Sequence, residues 1–360
     1  MRFSICIPTH DGRAAPLREA IDGILAQIAQ GVPGEVEICV SDNASEDGTA
    51  EMMHEYAAHF PGLFVYRRNE TNLKFLKNLL QVFSLAGGDY CWLLSSDDQI
   101  ADGGIAAAME TLQAHPGAAG MTVCASRYDK EMRHEIGPYP SRLLPEQWEQ
   151  MHVYTTADDA FRNCGAFLGY ISGLIIDRAL WQEVAAEIGE ERLRGFRHFP
   201  HTFMIGSVIK KRPYWIWHPG MLIKCRTAND ALIELMSNNL IKYHIETMED
   251  GARVWAALLG HRSAVHRTMT RKVYPLSWGG GALAEYKKAP CTPRDEIAAL
   301  IAFTRNLYFL PDFWKSTFPI LLLPRAVVLA GFKYGWAKKL RAAAAPFRKP
   351  RTPEGRASNV

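Results

Sequence analysis

The chain has 360 residues, of which 48% are hydrophobic and 22% are charged. These are ordinary globular values, so they exclude a disordered or fibrous protein, and the length favours two domains or one large α/β domain with an appendage. The net charge of +3 is unevenly distributed, because residues 331–360 carry +7 and the residues before them carry −4. A nucleic-acid-binding protein usually spreads its basic charge over the folded body, so we expect no nucleic-acid partner.

The cysteines indicate a reducing compartment. There are seven, an odd number, and none is spaced as CxxC, so neither a disulfide framework nor a zinc site is predicted. No apolar segment precedes the strand-like run at residues 3–7, so we expect no signal peptide and a cytoplasmic protein.

The first 125 residues alternate between strand and helix patterns. Strands are predicted at residues 3–8, 36–41, 63–67, 90–94 and 119–125, and helices at 17–30, 45–60, 75–86 and 105–114. This alternation predicts βαβ units and an α/β fold with a parallel sheet. In such sheets ligands bind beyond the carboxyl ends of the strands.

The later part of the chain is less regular. Residues 126–160 are predicted to be mainly loop, residues 170–176 and 215–217 to be strands, and residues near 295–307 to be helical. The predicted boundaries place one domain at residues 1–230, a helical region at 231–316 and a tail at 317–360.

The tail mixes aromatic and basic side chains. The apolar run at residues 318–332 is short and contains two prolines, so it is not predicted to span a membrane, which takes about 20 apolar residues. Aromatic rings followed by cations suit a segment that lies in an anionic membrane interface. The alternative is a helical cap over the core with a solvated basic end.

Two adjacent carboxylates, Asp97 and Asp98, directly follow the predicted strand at 90–94. Neighbouring like charges are unfavourable unless a cation or strong donors compensate them. A divalent Mg²⁺ or Mn²⁺ that bridges to the phosphates of a ligand would do so, since both ions prefer oxygen ligands. The alternative is a turn or a helix cap.

Polar clusters follow the first two predicted strands as well. They read PTHDGR at residues 8–13 and SDNASEDGT at residues 41–49. Asp42 could accept a hydrogen bond from a nucleobase, and the backbone at Thr9 and Ser45 could face a base or ribose. Each cluster alone is also typical of a turn.

The motifs PTHDGR, SDNASEDGT, RRNETNLKFLKN and LLSSDD, in this order, resemble family 2 glycosyltransferases with the GT-A fold. More narrowly, the chain is similar to the abequosyltransferase-like sugar transferases of O-antigen and capsule assembly. The resemblance covers roughly residues 1–230. It implies a mixed, mostly parallel sheet flanked by helices, with residues 1–125 as the nucleotide-binding half and 126–230 as the acceptor-side half.

The activity that the resemblance implies is inverting transfer of a sugar from a nucleotide-diphosphate donor. The implied acceptor is a carbohydrate, such as a polyprenyl-linked saccharide, and the implied cofactor is Mg²⁺ or Mn²⁺. Together with the basic tail, this favours a protein peripheral on the inner face of the cell membrane.

The resemblance also assigns roles to individual residues. It places around the nucleotide Pro8, Thr9, Asp11, Asp42, Asn43, Ser45, Arg68, Lys77 and Asn78. Asp97 would lie by the ribose and Asp98 would hold the metal. The chain departs from the family pattern at Ser96, where a third carboxylate is usual, and at Lys74, where glycine is preferred.

An inverting displacement needs a base that takes the proton of the acceptor hydroxyl. In family relatives the base follows the metal motif by about a hundred residues, and the segment here, residues 195–204, lacks the usual Glu-Asp pair. Because narrower relatives resemble this chain in having histidine there, His201 is the first candidate and His198 the second. The alternatives are Glu190, Glu191, or a purely structural histidine.

Two further groups are candidates with open alternatives. CRTAND at residues 225–230 resembles the family's Arg-x-x-Asn-Asp element, so Arg226 could neutralise the diphosphate or form a structural ion pair. Trp215, Trp217 and Trp278 could stack on a sugar, although core positions are expected for at least two. Rival functions are a nucleotidyltransferase and a non-catalytic binding or scaffolding protein of the same fold.

Overall fold

The computed structural model describes residues 1–139, 148–227, 240–278 and 292–333. Within these ranges the strands are β1 (Arg2–Thr9), β2 (Glu35–Asp42), β3 (Phe64–Arg68), β4 (Tyr90–Leu93), β5 (Gln99–Ile100), β6 (Gly120–Tyr128), β7 (Glu135–Tyr139), β8 (His152–Tyr154), β9 (Leu174–Asp177) and β10 (Trp215–Arg226).

The helices of the described ranges surround this sheet or follow it. They are α1 (Ala14–Gln30), α2 (Thr49–His59), α3 (Lys74–Leu85), α4 (Gly104–Ala114), α5 (Ala157–Cys164), α6 (Arg178–Ile188), α7 (Glu190–Arg194), α8 (Pro200–Lys211), α9 (Leu240–Leu259), α10 (Ala264–Trp278), α11 (Pro293–Leu307), α12 (Phe318–Leu322) and α13 (Arg325–Lys333). Three-residue 3₁₀ turns lie at Gly165–Phe167 and Ile171–Gly173.

The strands form one sheet in the order β3-β2-β1-β4-β9-β6-β10-β5, with β7 beside β6 and β8 beside β10. Strands β1 to β4, β6 and β10 run in one direction, and the others run against them. The prediction of a mixed, mostly parallel α/β sheet is confirmed. Its first half is the βαβ pattern that the sequence predicts, with α1, α2 and α3 connecting parallel strands.

The parallel register brings the polar strand ends together. Thr9 at the end of β1 lies opposite Asp42 at the end of β2, and Asp42 lies opposite Arg68 at the end of β3. The backbone N–H of Leu94, just after β4, donates to the carbonyl of Cys6 on β1. The Asp97–Asp98 pair therefore follows a strand that adjoins β1 at the same edge of the sheet.

The strand predicted at residues 170–176 is wrong in its first part. Residues 171–173 form a 3₁₀ turn, and β9 begins only at Leu174. The cause is long-range hydrogen bonding, because the Ser172 hydroxyl donates to Asp98 and accepts from the Ser95 N–H, which holds the chain out of an extended path. The mainly apolar sequence of this segment gives no indication of those distant partners.

The described residues between 126 and 160 are more regular than predicted, since β6 continues to Tyr128 and β7 and β8 follow it. Pro138 is tolerated in β7 because that strand pairs on one side with β6 at the edge of the sheet. β10 also extends beyond the predicted residues 215–217. Its register shifts between His218 and Met221 and again before Ile223, and these bulges carry its far end to the Asp97–Asp98 pair.

The second helix begins later than predicted, at Thr49 instead of Ser45. Ser45 donates from its N–H and its hydroxyl to the Asp42 carboxylate, which keeps residues 43–48 in a loop. Gly48 ends this loop in the left-handed region, at φ 86°, where glycine is favoured. Asp47 in the same loop accepts from the N–H groups of Arg13 and Ala14 at the start of α1.

Apolar side chains fill both faces of the sheet, and the two tryptophans of β10 are among them. Trp215 and Trp217 are fully buried; their indole N–H groups donate to the Thr122 hydroxyl and to the Trp148 carbonyl. Their interpretation as core residues is confirmed. The Trp278 side chain lies outside the described part of the structure.

The chain divides into two compact units. Residues 1–238 and 246–273 form the first, which contains the sheet, and residues 239–245 and 274–360 form the second. Within the second unit, Phe303, Leu307 and Phe313 are buried. None of the helices in the described ranges is long and apolar enough to cross a membrane.

We predict that Trp215→Ala lowers the free energy of unfolding by about 3–5 kcal/mol, because it empties a fully buried site. The matched control is Met151→Ala at a half-exposed surface position, which should change it by less than about 0.5 kcal/mol. Urea unfolding measures both values. Equal, small effects would contradict a core position for Trp215.

Candidate active site

Asp98 is an almost completely enclosed carboxylate at this edge of the sheet, with 3% of its surface exposed. Its Oδ2 accepts from the Tyr170 hydroxyl at 2.7 Å and the Ser172 hydroxyl at 2.6 Å, and its Oδ1 accepts from the Arg226 backbone N–H at 3.0 Å. Burial, followed by the charge of Asp97, raises the pKa of Asp98 to about 6. The three donors oppose that shift by stabilising the ionised form.

Asp97 has a different environment one residue away. Its Oδ2 accepts from the Arg13 guanidinium at 2.8 Å, and its Oδ1 accepts from the Ser95 hydroxyl at 2.5 Å. Both members of the Arg13–Asp97 ion pair are mostly buried. Arg13 belongs to the PTHDGR motif, but it was not among the predicted site residues.

The donor set fits a divalent metal that is shared with a ligand. No cluster of three or more His, Cys, Asp or Glu side chains with metal-binding geometry occurs in the described ranges. Asp97 and Asp98 do place two carboxylates side by side. Mg²⁺ commonly binds through one or two carboxylates together with substrate phosphates, so these residues fit an ion that a diphosphate helps to hold.

The nucleotide-side candidates lie along the same edge. Asp42 is fully buried, and its carboxylate accepts from Ser45 through the N–H at 3.0 Å and the hydroxyl at 2.5 Å. The Tyr66 hydroxyl, which sequence reasoning missed, donates to Asp42 at 2.9 Å. Arg68 donates to the Ser45 carbonyl, with its Nε 3.9 Å from Asp42. These residues form one hydrogen-bonded group.

Asparagine side chains join the ends of β1 and β2 to α3. Asn78 donates to the Thr9 carbonyl at 3.0 Å and accepts from the Ser41 hydroxyl at 2.7 Å. Asn43 accepts from the Leu73 N–H at 2.7 Å, which fixes the loop before α3. The Thr9 hydroxyl is buried and has no hydrogen-bond partner within the part of the chain that the structure describes.

The remaining nucleotide-side candidates are more exposed. Asp11 accepts from the Glu46 N–H at 2.8 Å, which links the two polar loops after β1 and β2. Pro8 lies opposite Ser41 in the register of those strands. Lys77 is exposed on α3, with its Nζ 3.6 Å from Glu190.

His201 lies at the start of α8 with 5% of its surface exposed. Its Nε2 is 3.2 Å from the Gly169 carbonyl, while its Nδ1 is buried with no hydrogen-bond partner among the described residues. A carbonyl only accepts, so Nε2 carries the hydrogen and Nδ1 carries the free lone pair. Burial lowers the pKa of His201 to about 4, so the ring is neutral at pH 7.

The other predicted bases have structural partners. The backbone N–H groups of His198 and Phe199 donate to Asp250, a fully buried carboxylate from α9 that sequence reasoning missed. The His198 ring lies 3.6 Å from Glu246. Glu190 forms an exposed ion pair with Arg194, as expected for a solvated helix face; Glu191 is exposed on the same helix.

The Arg226 side chain is engaged in hydrogen bonds to other residues of the protein. Its guanidinium donates to Glu19 at 2.5 Å, to the Asp97 carbonyl at 3.0 Å and to the Lys130 carbonyl at 2.5 Å. With the backbone contact to Asp98, it joins β10 to the carboxylate pair. The two partners of the CRTAND motif, Asn229 and Asp230, lie outside the described residues.

Sequence reasoning missed Tyr170 and Ser172, the two hydroxyl donors to Asp98. They lie 72 and 74 residues further along the chain, in a run that reads as a buried strand. No local pattern connects them to the carboxylate pair, so only the fold reveals the contact. The structure thus gathers Asp97, Asp98, Arg13 and Arg226 with these hydroxyls into one group.

Comparison with known proteins identifies the family. The sequence profile described as "Glycosyl transferase family 2" matches residues 4–179. Abequosyltransferase RfbV of Salmonella typhimurium is 32% identical over an alignment of 243 residues that covers 64% of this chain and 68% of that protein. The chain belongs to glycosyltransferase family 2, and it is a glycosyltransferase.

Solved structures agree on the fold. TarS 1–349 of S. aureus has a TM-score of 0.57 at 15% identity, covering 93% of this chain and 92% of that one, and it has also been solved with UDP-GlcNAc. The mannosyltransferase PcManGT of Pyrobaculum calidifontis, solved with GDP-Man and Mn²⁺, has a TM-score of 0.51 at 16% identity, covering 95% and 83%. The expected GT-A fold is confirmed.

We predict that the His201 ring stays neutral, with hydrogen on Nε2, between pH 7 and about pH 5, because burial opposes its positive charge. Ring ¹⁵N chemical shifts, assigned by comparison with His201→Gln, measure both the tautomer and the titration. A midpoint near 6.5, the value of an unperturbed histidine, would contradict this environment.

Proposed function

We propose that this glycosyltransferase moves one sugar, with inversion, from a nucleotide-diphosphate sugar to a carbohydrate or lipid-linked saccharide in cell-surface polysaccharide synthesis. The observation that carries the proposal is the buried Asp97–Asp98 pair at the end of β4, beside the polar ends of β1 and β2. The likeness to an abequosyltransferase supports the transfer of a sugar. The donors named with TarS and PcManGT support the nucleotide sugar.

Asp98 is proposed to bind a divalent Mg²⁺ or Mn²⁺ together with the diphosphate of the donor. The bound ion would stabilise the negative charge that develops on the leaving diphosphate. Arg226 is the proposed second positive charge there, and Asp97 the proposed ribose contact. The Mn²⁺ in the PcManGT complex supports the choice of metal.

The nucleotide is proposed to lie between the ends of β1, β2 and β3. Asp42, held by Ser45 and Tyr66, is the proposed contact to the base. The proposed lining of this pocket comprises Pro8, Thr9, Asp11, Asn43, Ser45, Arg68, Lys77 and Asn78. Residues 1–125 would then form the nucleotide-binding half and residues 126–230 the acceptor-side half.

His201 is proposed as the base that takes the proton of the acceptor hydroxyl at Nδ1. Two features support it: the lone pair on Nδ1 is unused in the described structure, and Nε2–H is held by Gly169, the residue next to Tyr170. Tyr170 in turn contacts Asp98, so one short segment reaches both groups. His198 is the second candidate.

The second unit is proposed to lie on an anionic membrane surface on the inner face of the cell membrane. Exposed large apolar side chains concentrate there, at Ile297, Ile301, Tyr308, Trp314, Leu322, Leu323 and Val327. Residues 331–360 add their charge of +7. Apolar side chains next to cations favour an interface with acidic lipid headgroups. Phe313, which lies within the same part of the chain, is buried and therefore does not belong to this exposed surface.

Asp98→Asn should reduce metal-dependent sugar transfer at least about 100-fold, because it removes the charged ligand at the leaving group. Transfer is measured as nucleoside diphosphate release over a panel of nucleotide sugars with Mn²⁺. The control is Asp102→Asn, which should leave the rate of sugar transfer unchanged because the Asp102 side chain is 95% exposed. Full activity of Asp98→Asn would refute the metal role.

His201→Ala should lower kcat by about 100- to 10,000-fold with little change in the KM for the donor, since a general base acts in the chemical step. Glu190→Gln, which removes an exposed ion-paired carboxylate, is the control. Loss of turnover in Glu190→Gln with near-normal turnover in His201→Ala would assign the base to the carboxylate.

Replacing Arg348, Lys349 and Arg351 with glutamine should weaken binding to anionic vesicles about 100-fold, since each cation near the surface contributes about 1 kcal/mol. Vesicle co-sedimentation of the full chain at low salt measures it. The control replaces three exposed cations of the first unit with glutamine and should leave vesicle binding nearly unchanged; these are Arg18, Arg133 and Arg271. Equal losses in both triple variants would place the lipid contact elsewhere.

A further inference from the structure

The segment just before β9, residues 170–173, contacts Asp98 through two side-chain hydroxyls. These contacts are additional to the backbone hydrogen bonds of the sheet. The hydroxyls of Tyr170 and Ser172 both donate to Oδ2 of Asp98, at 2.7 and 2.6 Å. The other oxygen, Oδ1, accepts from the Arg226 N–H. With two donors on one oxygen and one on the other, the carboxylate is held in a single orientation about its last side-chain bond.

The two hydroxyls are themselves held by groups other than Asp98. The Ser172 Oγ accepts from the Ser95 N–H at 3.0 Å, and the Ser172 carbonyl accepts from the indole N–H of Trp92, a fully buried residue of β4, at 2.8 Å. The Tyr170 ring packs edge-on against Tyr139, with the ring centroids 5.0 Å apart. The turn is therefore a rigid support that β4 and its neighbours position independently of the carboxylate.

A metal ligand gains affinity when neighbouring groups fix its orientation before the metal arrives. Removal of such groups typically weakens metal binding about 10- to 100-fold. This effect matters here because Ser96, the residue before the pair, supplies no carboxylate, and Asp97 is paired with Arg13. Among the described residues, Asp98 is thus the main metal ligand at this site, so its orientation should strongly affect metal binding.

We propose that Tyr170 and Ser172 are positioning residues that orient the Asp98 carboxylate for the shared metal, so that their hydroxyls set the metal affinity of the site. This inference rests on the proposed function, because it takes Asp98 as the metal ligand. Neither residue contacts the donor in this account. Their effect passes through Asp98 alone.

The Tyr170 and Ser172 hydroxyls could orient Asp98 or could only stabilise the fold, and these two roles have different measurable effects. If the hydroxyls only stabilise the fold, their removal lowers the unfolding free energy and leaves metal affinity unchanged. If they orient Asp98, metal affinity falls, while the affinity for a nucleoside diphosphate without metal stays as in the unaltered protein. The two binding constants therefore distinguish the roles.

The experiment measures Mn²⁺ binding by the electron paramagnetic resonance signal of free Mn²⁺, in the presence of saturating nucleoside diphosphate. UDP, GDP, CDP and dTDP are tried with the unaltered full chain, and the one that supports binding is used throughout. The variants are Tyr170→Phe and Ser172→Ala. The control is Tyr139→Phe, which removes a hydroxyl from the adjoining ring without touching Asp98.

We expect each variant to weaken Mn²⁺ binding about 10-fold and the double variant to weaken it further, with the control unchanged. Affinities of both single variants within two-fold of the unaltered protein would overturn the inference and leave the proposed function intact. An equal loss in Tyr139→Phe would also overturn it. Failure of the unaltered protein to bind Mn²⁺ with any of the four nucleotides would instead refute the proposed metal role, and the inference with it.

Discussion

Two carboxylates on adjacent residues repel one another, and the repulsion grows as they leave water. At the end of β4 this repulsion is offset by groups from three separate parts of the chain. Arg13 after β1 neutralises Asp97, while Tyr170 and Ser172 before β9 and the last residue of β10 donate to Asp98. The strand order places β4 between β1 and β9, so the sheet topology itself supplies most of these partners.

On the nucleotide side of the same edge, side-chain amides make the stabilising hydrogen bonds that charged groups make around Asp97 and Asp98. Asn43 and Asn78 use both ends of their side chains to tie the loops after β1 and β2 to α3. Asp42 is similarly held by Ser45 and Tyr66. Buried polar groups stabilise a fold when their hydrogen bonds are satisfied. The loops that would receive a nucleotide are thus shaped before it binds, which lowers the entropic cost of binding.

The local patterns of the first half of the chain were enough to predict its βαβ units, and the strand-end clusters predicted the edge on which Asp42 and Asp98 lie. The pairing partners of those residues could not be predicted, because Tyr170 and Ser172 sit in an apolar run far along the chain. For the same reason the sequence did not reveal Asp250, which accepts from the N–H groups of His198 and Phe199 just before α8. The separation of two residues in the sequence does not reveal whether they are in contact in the fold.

One departure from the family pattern gains a physical reading. Lys74, which stands where relatives prefer glycine, is exposed at the start of α3 with φ 66°, a left-handed conformation that glycine adopts without steric cost. A glycine at this position would adopt the same backbone conformation without steric strain.

The central claim is that Asp98 and the donor's diphosphate hold a divalent metal together. Calorimetric titration with UDP, GDP, CDP and dTDP, each with and without Mn²⁺, tests it most directly. The account predicts that one nucleotide binds tightly with Mn²⁺, and that this affinity falls when Mn²⁺ is omitted or when Asp98 is replaced by asparagine. Binding that is equally tight in all three cases, or no binding of any nucleotide, would contradict it.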